Sequence, residues 1–464
     1  MAHRRSPAEG AENQERDLFR ARLDEMIDMS HPLVRVSQAM PWETLIDSVG
    51  ESLPLVPAGP GRRPLPARLV LGLLYLKHAY DLSDEAVCAR WLENPYYQYF
   101  CGEVFFQTRL PCDPSSLTRY RKRLGEAGVE ELLAQTIEAA KRLKAVRRSD
   151  LKRVVVDSTV QEKDVAYPTD SRLLEVARQK VVEAAKHEAI PLRQSYARVG
   201  PKLAIQAGRY AHAKQFKRLR RVLRKQRTIL GRLRRDIGRK ASPEALERLA
   251  PPLEKAERLH RQTPKDKNKL YAWHAPEVEC IGKGKARQPY EFGVKVGIAI
   301  TAKSGLIVGA RSFPGNPYDG DTLAEHREQT GILTGVEAET LIVDLGYRGR
   351  ELDGARVLHK GKRKTLTPSD WRWLKRRQAV EPTIGHLKAE HRMRRCHLKG
   401  QLGDALNAVL AAAGYNLRWL MRWLMLFYAW ILAEVRLFGS RLNDRTGAAI
   451  STFSSHYRTP VRTD

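Results

Sequence analysis

The sequence predicts an α+β chain in which a sheet-bearing domain is interrupted by a long basic helical insertion and flanked by helical regions. Three observations carry that expectation. Tyr290, Phe292, Val294, Val296, Ile298 and Ile300 alternate with Glu291, Gly293, Lys295, Gly297, Ala299 and Thr301, and so long a period of two marks a strand. The short β-branched or apolar runs Lys152–Asp157 and Thr340–Asp344 each close on an aspartate, followed by Ser-Thr or Leu-Gly-Tyr. Buried neighbouring strands deliver acids to one sheet edge in this way. From Lys202 to Lys240, fifteen Lys or Arg stand against the single acid Asp236, while Leu219, Val222, Leu223, Ile229, Leu230 and Leu233 recur at helical intervals. That pattern reads as basic helix with an apolar stripe.

Taken in order, residues 1–18 are polar and read as a disordered tail. Residues 19–148 read as helical. Arg63–Ala79 is amphipathic, Ser83 caps a helix with an early pair of acids, and Asp113-Pro opens a helix carrying Arg119, Arg121, Lys122 and Arg123. A helix pair followed by a basic helix resembles a helix-turn-helix reader, which makes Arg119 and Arg121 candidate base contacts. The sheet domain is expected over 149–170 and 286–398, with the insertion between them at 171–285. Within it, Ala302-Lys-Ser-Gly305 predicts a hairpin turn, followed by a helix near 320–334, a short strand near 356–360 and a helix bearing Glu381. Residues 399–464 read as a C-terminal helical region. Its uncharged stretch Trp423–Ala433 is too short to span a bilayer and predicts a buried helix, with Trp419, Trp423, Phe427 and Trp430 as a packing stripe.

Composition points to a polyanionic partner. The 464 residues carry 82 Lys or Arg against 53 acids, a formal charge of +29 and a pI near 10.1, the footprint expected for phosphate backbones. On the insertion, Arg220, Arg221 and Arg224 are the candidate DNA contacts. Five cysteines without a Cys-x-x-Cys pair suggest neither a disulfide framework nor a zinc site, and a reduced cytoplasmic setting is expected. The N-terminus lacks an apolar signal segment.

Asp157, Asp344 and Glu381 are the candidate catalytic residues. Carboxylates gathered in one pocket repel unless divalent cations lie between them, and hard Mg²⁺ prefers oxygen ligands. The chemistry this predicts is two-metal phosphoryl transfer, with Mn²⁺ able to substitute. An Asp at a strand end more commonly serves as a turn or cap residue, so each acid alone says little. The Arg377, Glu381, Lys388 series adds weight, because intervals of four and seven return to nearly one helical face. In Gly282–Pro289, Lys283 and Lys285 could grip phosphate from a glycine-rich loop lacking a Walker pattern. Asn316 and Asp319 fit a simple turn equally well. His386, His391 and His397 do not share a face and suggest no metal.

These stretches resemble a known family, the DDE transposases of bacterial insertion sequences, and within them the insertion-sequence-five group. The likeness rests on Val154-Val-Val-Asp157-Ser-Thr-Val-Gln-Glu-Lys163, Gly315-Asn-Pro-Tyr-Asp-Gly-Asp321, Val343-Asp344-Leu-Gly-Tyr-Arg-Gly349 and the Arg377, Glu381, Lys388 spacing. The family pattern has a Tyr three residues before the Arg, where this chain has Leu374, so no role for that Tyr is carried over. The resemblance implies a ribonuclease-H-like catalytic domain and an enzyme that binds terminal inverted repeats of double-stranded DNA. It would cleave at the element's ends and join the 3′-hydroxyls to target DNA. It further implies two Mg²⁺ ions on the acid triad, DNA contacts by Arg377, Lys388, Tyr347 and Arg348, a homodimer in synapsis, and a cytoplasmic, nucleoid-associated location. The alternatives are a nuclease without strand transfer and a catalytically inactive DNA-binding descendant.

Overall fold

A computed structural model of the chain describes residues 21–53, 64–282 and 289–455. The predicted tail at 1–18 and the loop lysines Lys283 and Lys285 lie outside the described residues. The chain forms two compact units, residues 1–151 with 412–464, and residues 152–411.

The first unit is helical: α1 (Leu23–Met26), α2 (Pro32–Ala39), α3 (Trp42–Ser48), α4 (Ala67–Ala79), α5 (Asp84–Glu93), α6 (Pro95–Phe100) and α7 (Pro114–Arg142). The capping signals act as expected. Ser83 Oγ accepts from Ala86 N (3.0 Å), and Asp113 Oδ1 accepts from Ser115 N (2.9 Å). α4 is apolar nearly all round, and apart from Arg68 all of its residues are buried, which makes it the core helix of the unit. Trp42, Tyr75 and Phe100 meet edge to face beside it.

Arg121 corrects the base-reading expectation. Its side chain is 2% exposed and forks onto Asp84 at 2.8 and 2.7 Å, and Lys77 reaches the same carboxylate at 2.6 Å. A guanidinium buried against its own fold is not available to a base edge. Arg119 stays exposed, bonded to Ser116 Oγ at 2.9 Å.

The second unit holds one sheet with helices, a mixed α/β arrangement. β1 (Arg153–Lys163) leads into α8 (Asp170–His187), α9 (Val199–His212), α10 (Phe216–Lys240) and α11 (Pro243–Arg261). These four helices share an apolar core that includes Leu174, Val181, Leu230, Leu233, Ile237 and Leu259. At roughly 1.5–3 kcal/mol for each such side chain buried, this core can offset much of the ordering cost of the segment. The sheet resumes with β2 (Glu279–Gly282), earlier than the expected 286, then β3 (Tyr290–Thr301) and β4 (Ile307–Phe313) as the predicted hairpin. α12 (Leu323–Thr334), β5 (Thr340–Ile342), β6 (Arg356–Leu358), α13 (Pro368–Arg376), α14 (Val380–Glu390) and β7 (Arg395–Cys396) complete it.

The strand order is β2-β3-β1-β5-β6, with β4 also on β3 and β7 also on β1. β3 runs antiparallel to β1 and β4, whereas β5 lies parallel to both β1 and β6. β3 is buried along nearly its whole length, so the alternation in its sequence does not mark a wet face. At Gly297 a Cβ would collide with the His326 ring, so only glycine lets α12 lie this close to the strand.

α15 (Gly400–Ser455) begins in the second unit and continues in the first. Lys163, at the end of β1, meets Asp404 at 2.8 Å and Glu277 at 2.9 Å, all three nearly buried. Asn407 donates to Gln161 Oε1 at 2.8 Å. Within the first unit, Gly414 lets the helix pass against the backbone of His78 and Ala79, and Asn416 donates to Thr136 Oγ1 at 2.9 Å. The expected burial of Trp423–Ala433 is not met. From Met425 on, Leu426, Phe427, Trp430 and Leu432 are exposed, and the aromatic stripe packs on itself, with Trp423 stacked on Phe427 at 5.1 Å. Among the described residues no helix is long and apolar enough to cross a membrane.

The Asp84 cluster yields a stability prediction. Burial opposes ionisation of Asp84, but Arg121 and Lys77 outweigh it and hold the carboxyl well below its usual range. A depressed folded pKa contributes stability above the unfolded value, near 3.9, that is lost as pH falls through the folded value. Arg121→Ala is expected to cost about 1–3 kcal/mol, because it leaves a partly buried carboxylate with Lys77 as its remaining charged partner. Urea unfolding measures the loss, and the deficit should shrink as pH falls below about 4, where unfolded Asp begins to protonate.

Candidate active site

Asp157 stands in the middle of β1 rather than at its end, which corrects the expectation of a closing turn. Ser158 and Thr159 continue the strand, and pairing to β3 runs unbroken from Val154 to Glu162. The acid reaches the sheet edge because its parallel partner is the short strand. Val155 pairs with Ile342 in the last register step of β5, which places Asp157 and Asp344 at the same level, each two residues further on. Two-residue steps keep the same face of a pleated sheet. Asp344 then caps the turn at 345–347 through Leu345 N.

The helical side of the site is tied to the sheet at several points. α13 opens with a capping box between Thr367 and Asp370, and Asp370 also takes both guanidinium nitrogens of Arg356 on β6 at 2.9 and 2.7 Å. Arg153 at the start of β1 lies over the Trp373 ring at 5.1 Å, and Arg376 donates to Lys303 O at 2.8 Å. So anchored, the next turn carries Arg377 to Asp157 Oδ2 at 3.4 Å and to Glu381 Oε1 at 3.8 Å. Arg377 is nearly buried, whereas Glu381 is exposed in the first turn of α14. Pro382 is tolerated there because first-turn N–H groups have no helical partner.

Asp319 joins the cluster, although its sequence context was compatible with a plain turn. Its Oδ1 accepts from Lys295 Nζ at 2.9 Å. The left-handed backbone of Gly315 and Asn316 (φ 85° and 46°) starts the turn that brings it there. The signal in the sequence was the Gly315–Asp321 motif itself; its partner Lys295 was hidden as one outward position in a regular strand.

Tyr347 corrects a second expectation, since it is 1% exposed and cannot lie against DNA. Its hydroxyl sits near Ser158, Asp319 and Asp157 without a well-formed hydrogen bond among the described residues, and burial together with those carboxylates pushes its pKa well above 10. Arg348 is exposed, and its carbonyl accepts from Tyr318 Oη at 2.6 Å. Lys388 lies 4.0 Å from Glu291 on β3. Arg220, Arg221 and Arg224 are exposed on α10.

Burial raises the pKa of Asp157, and Asp344 and Asp319 raise it further, while the Ser158 N–H and Arg377 pull the other way. This donor set fits a divalent cation in kind: hard carboxylate oxygens, one reluctant to ionise, with a guanidinium as the neighbouring positive charge. Among the described residues, no group of three or more His, Cys, Asp or Glu is arranged to hold a metal ion. Glu381 connects to Asp157 through Arg377.

Two family models match the chain, a Transposase domain (DUF772) over residues 21–123 and a Transposase DDE domain over residues 258–417. The chain belongs to the DDE transposases. The DDE match takes in Asp319, Asp344, Arg377, Glu381 and Lys388, and Asp157 lies before it. The transposase is also 49% identical over 200 residues to the uncharacterized protein ORF8 in the nfe locus of Rhizobium meliloti, covering 43% of this chain and 95% of that protein. No solved structure matches.

The geometry predicts a titration. By carboxyl NMR, Asp157 of the transposase should titrate above the ordinary aspartate value. Asp344→Asn should lower its midpoint by removing a like charge, and Arg377→Gln should raise it by removing the compensating one. Shifts in the reverse senses would contradict this electrostatic assignment.

Proposed function

We propose that the chain is a DNA transposase of the insertion-sequence-five group, with a ribonuclease-H-like catalytic domain into which the basic helices α8–α11 are inserted. It binds the terminal inverted repeats of a mobile element, cleaves at their ends and joins the 3′-hydroxyls to target DNA. The observation that carries the reading is the register of β1 on β5, which sets Asp157 level with Asp344, together with the Arg377 bridge from Asp157 to Glu381.

In this reading Asp157, Asp344 and Glu381 would hold two Mg²⁺ ions. Bound there, the ions would supply Lewis-acid chemistry for phosphoryl transfer. Arg377 orients Asp157 and Glu381 and presents remaining guanidinium hydrogens to a phosphate. Lys295 fixes Asp319 beside the aspartates. Buried Tyr347 closes the turn after Asp344 and sets its hydroxyl beside Ser158 and Asp157. Two chains acting as a homodimer would bring two ends together.

The test is a cleavage and strand-transfer assay on the element's own ends. Asp157→Asn, Asp344→Asn and Glu381→Gln should each abolish cleavage while leaving end binding nearly unchanged, and cleavage should require Mg²⁺ or Mn²⁺ and stop on chelation. Full activity of Glu381→Gln would remove the third acid from the assignment.

A further inference from the structure

A cavity of about 480 Å³ opens in the inserted helices, lined by Arg193, Tyr196, Arg232, Arg235, Asp236 and Arg239 among others and by none of Asp157, Asp344 and Glu381. Three of its arginines follow one face of α10 at intervals of three and four. The fourth comes from the connection between α8 and α9. That connection is pinned in place: Asp236 Oδ2 accepts from Arg193 N at 2.8 Å, Lys240 Nζ donates to Pro191 O at 2.7 Å, and Arg178 Nη1 donates to Ser195 O at 2.8 Å. The single acid in the wall is therefore occupied, by a backbone N–H and by Lys240 at 3.1 Å.

Other arginines of the same helix have partners, Arg227 with Asp170 at 3.8 Å and Arg234 with Glu257 at 2.8 Å. The guanidinium groups of Arg193, Arg232, Arg235 and Arg239 make no hydrogen bond or salt bridge among the described residues, although Arg239 feels the charge of Asp236, and all four side chains are exposed. Four like charges held around one cavity repel unless an anion lies between them, and guanidinium forks match phosphate oxygens in pairs.

We propose that this arginine-lined bowl is a phosphate-binding site, separate in its residues from the acid triad, that grips the backbone of double-stranded DNA. The proposal rests on the transposase reading above and adds the place where the insertion takes hold. Backbone contacts of this kind position a duplex without reading its sequence, so the bowl should act on any duplex.

The experiment measures the affinity of the full chain for a random-sequence duplex as a function of salt. Arg232→Gln/Arg235→Gln/Arg239→Gln should flatten the log-log slope by about 0.9 for each phosphate no longer neutralised. Arg193→Gln alone, on the loop side, should remove about one such step. Lys202→Gln/Arg209→Gln/Lys217→Gln removes the same charge from other exposed positions of α9 and α10 and should change the slope much less. Equal slope changes in the two triple variants, or none in either, would overturn the bowl while leaving the transposase reading intact. Stoichiometric binding of inorganic phosphate that the bowl variant loses, with its DNA slope unchanged, would overturn the DNA assignment in favour of a free anion. A wild-type chain that binds no duplex at all would instead remove the transposase reading on which the proposal stands.

Discussion

The parallel pairing of β1 with β5 is the constraint on which the rest of the catalytic unit depends. A one-residue slip would turn Asp157 or Asp344 to the opposite face of the sheet. The register is therefore held from several sides: β3 along Val154–Glu162, Ala302 N on Arg153 O, Glu339 N on Lys152 O, and the buried Lys163 cluster at the far end. The site inherits its precision from this over-determined strand. Glu381 is placed more loosely, on an exposed helical turn whose anchor is the Asp370–Arg356 fork.

Much of the second unit could be read from the sequence because its signals are local. The β3 alternation, the hairpin turn, the α12 helix and the strand before Asp344 need no knowledge of distant residues. β1 beyond Asp157 could not be read in that way. Gln161 and Lys163 look like the polar end of a strand, yet their partners Asp404, Asn407 and Glu277 lie more than a hundred positions away. Arg121 misled for the same reason: a basic helix suggests a DNA reader until Asp84, on another helix, neutralises it. Burial hid Tyr347 in like manner. Nothing local separates a tyrosine that faces DNA from one that packs under a turn.

The charge of the chain divides into groups with different physical roles. Arg121, Lys163 and Arg178 are buried and direct their charge inside the fold, onto Asp84, Asp404 and Glu175. Each is costly to desolvate and destabilising to remove singly, yet contributes nothing to long-range attraction of a polyanion. Arg220, Arg221 and Arg224 are solvated, where attraction is screened over a Debye length of about 8–10 Å. Net charge alone cannot rank these groups. Geometry can, because only side chains that are both accessible and held near one another present a defined place to a phosphate.

The acids follow a complementary logic. Asp157 is partly buried beside Asp344 and Asp319, so ionising it costs free energy that the folded state does not recover from Arg377 alone. A site built only for stability would replace one of these carboxylates by an amide, since the backbone register does not need the charge. Among the described residues these three aspartates meet one guanidinium and one lysine, which leaves local negative charge of the kind that a divalent cation, with two charges at one point and no long aliphatic stem, can relieve. The raised pKa of Asp157 and the local excess of negative charge around it are therefore one property, and it originates in the register of β1.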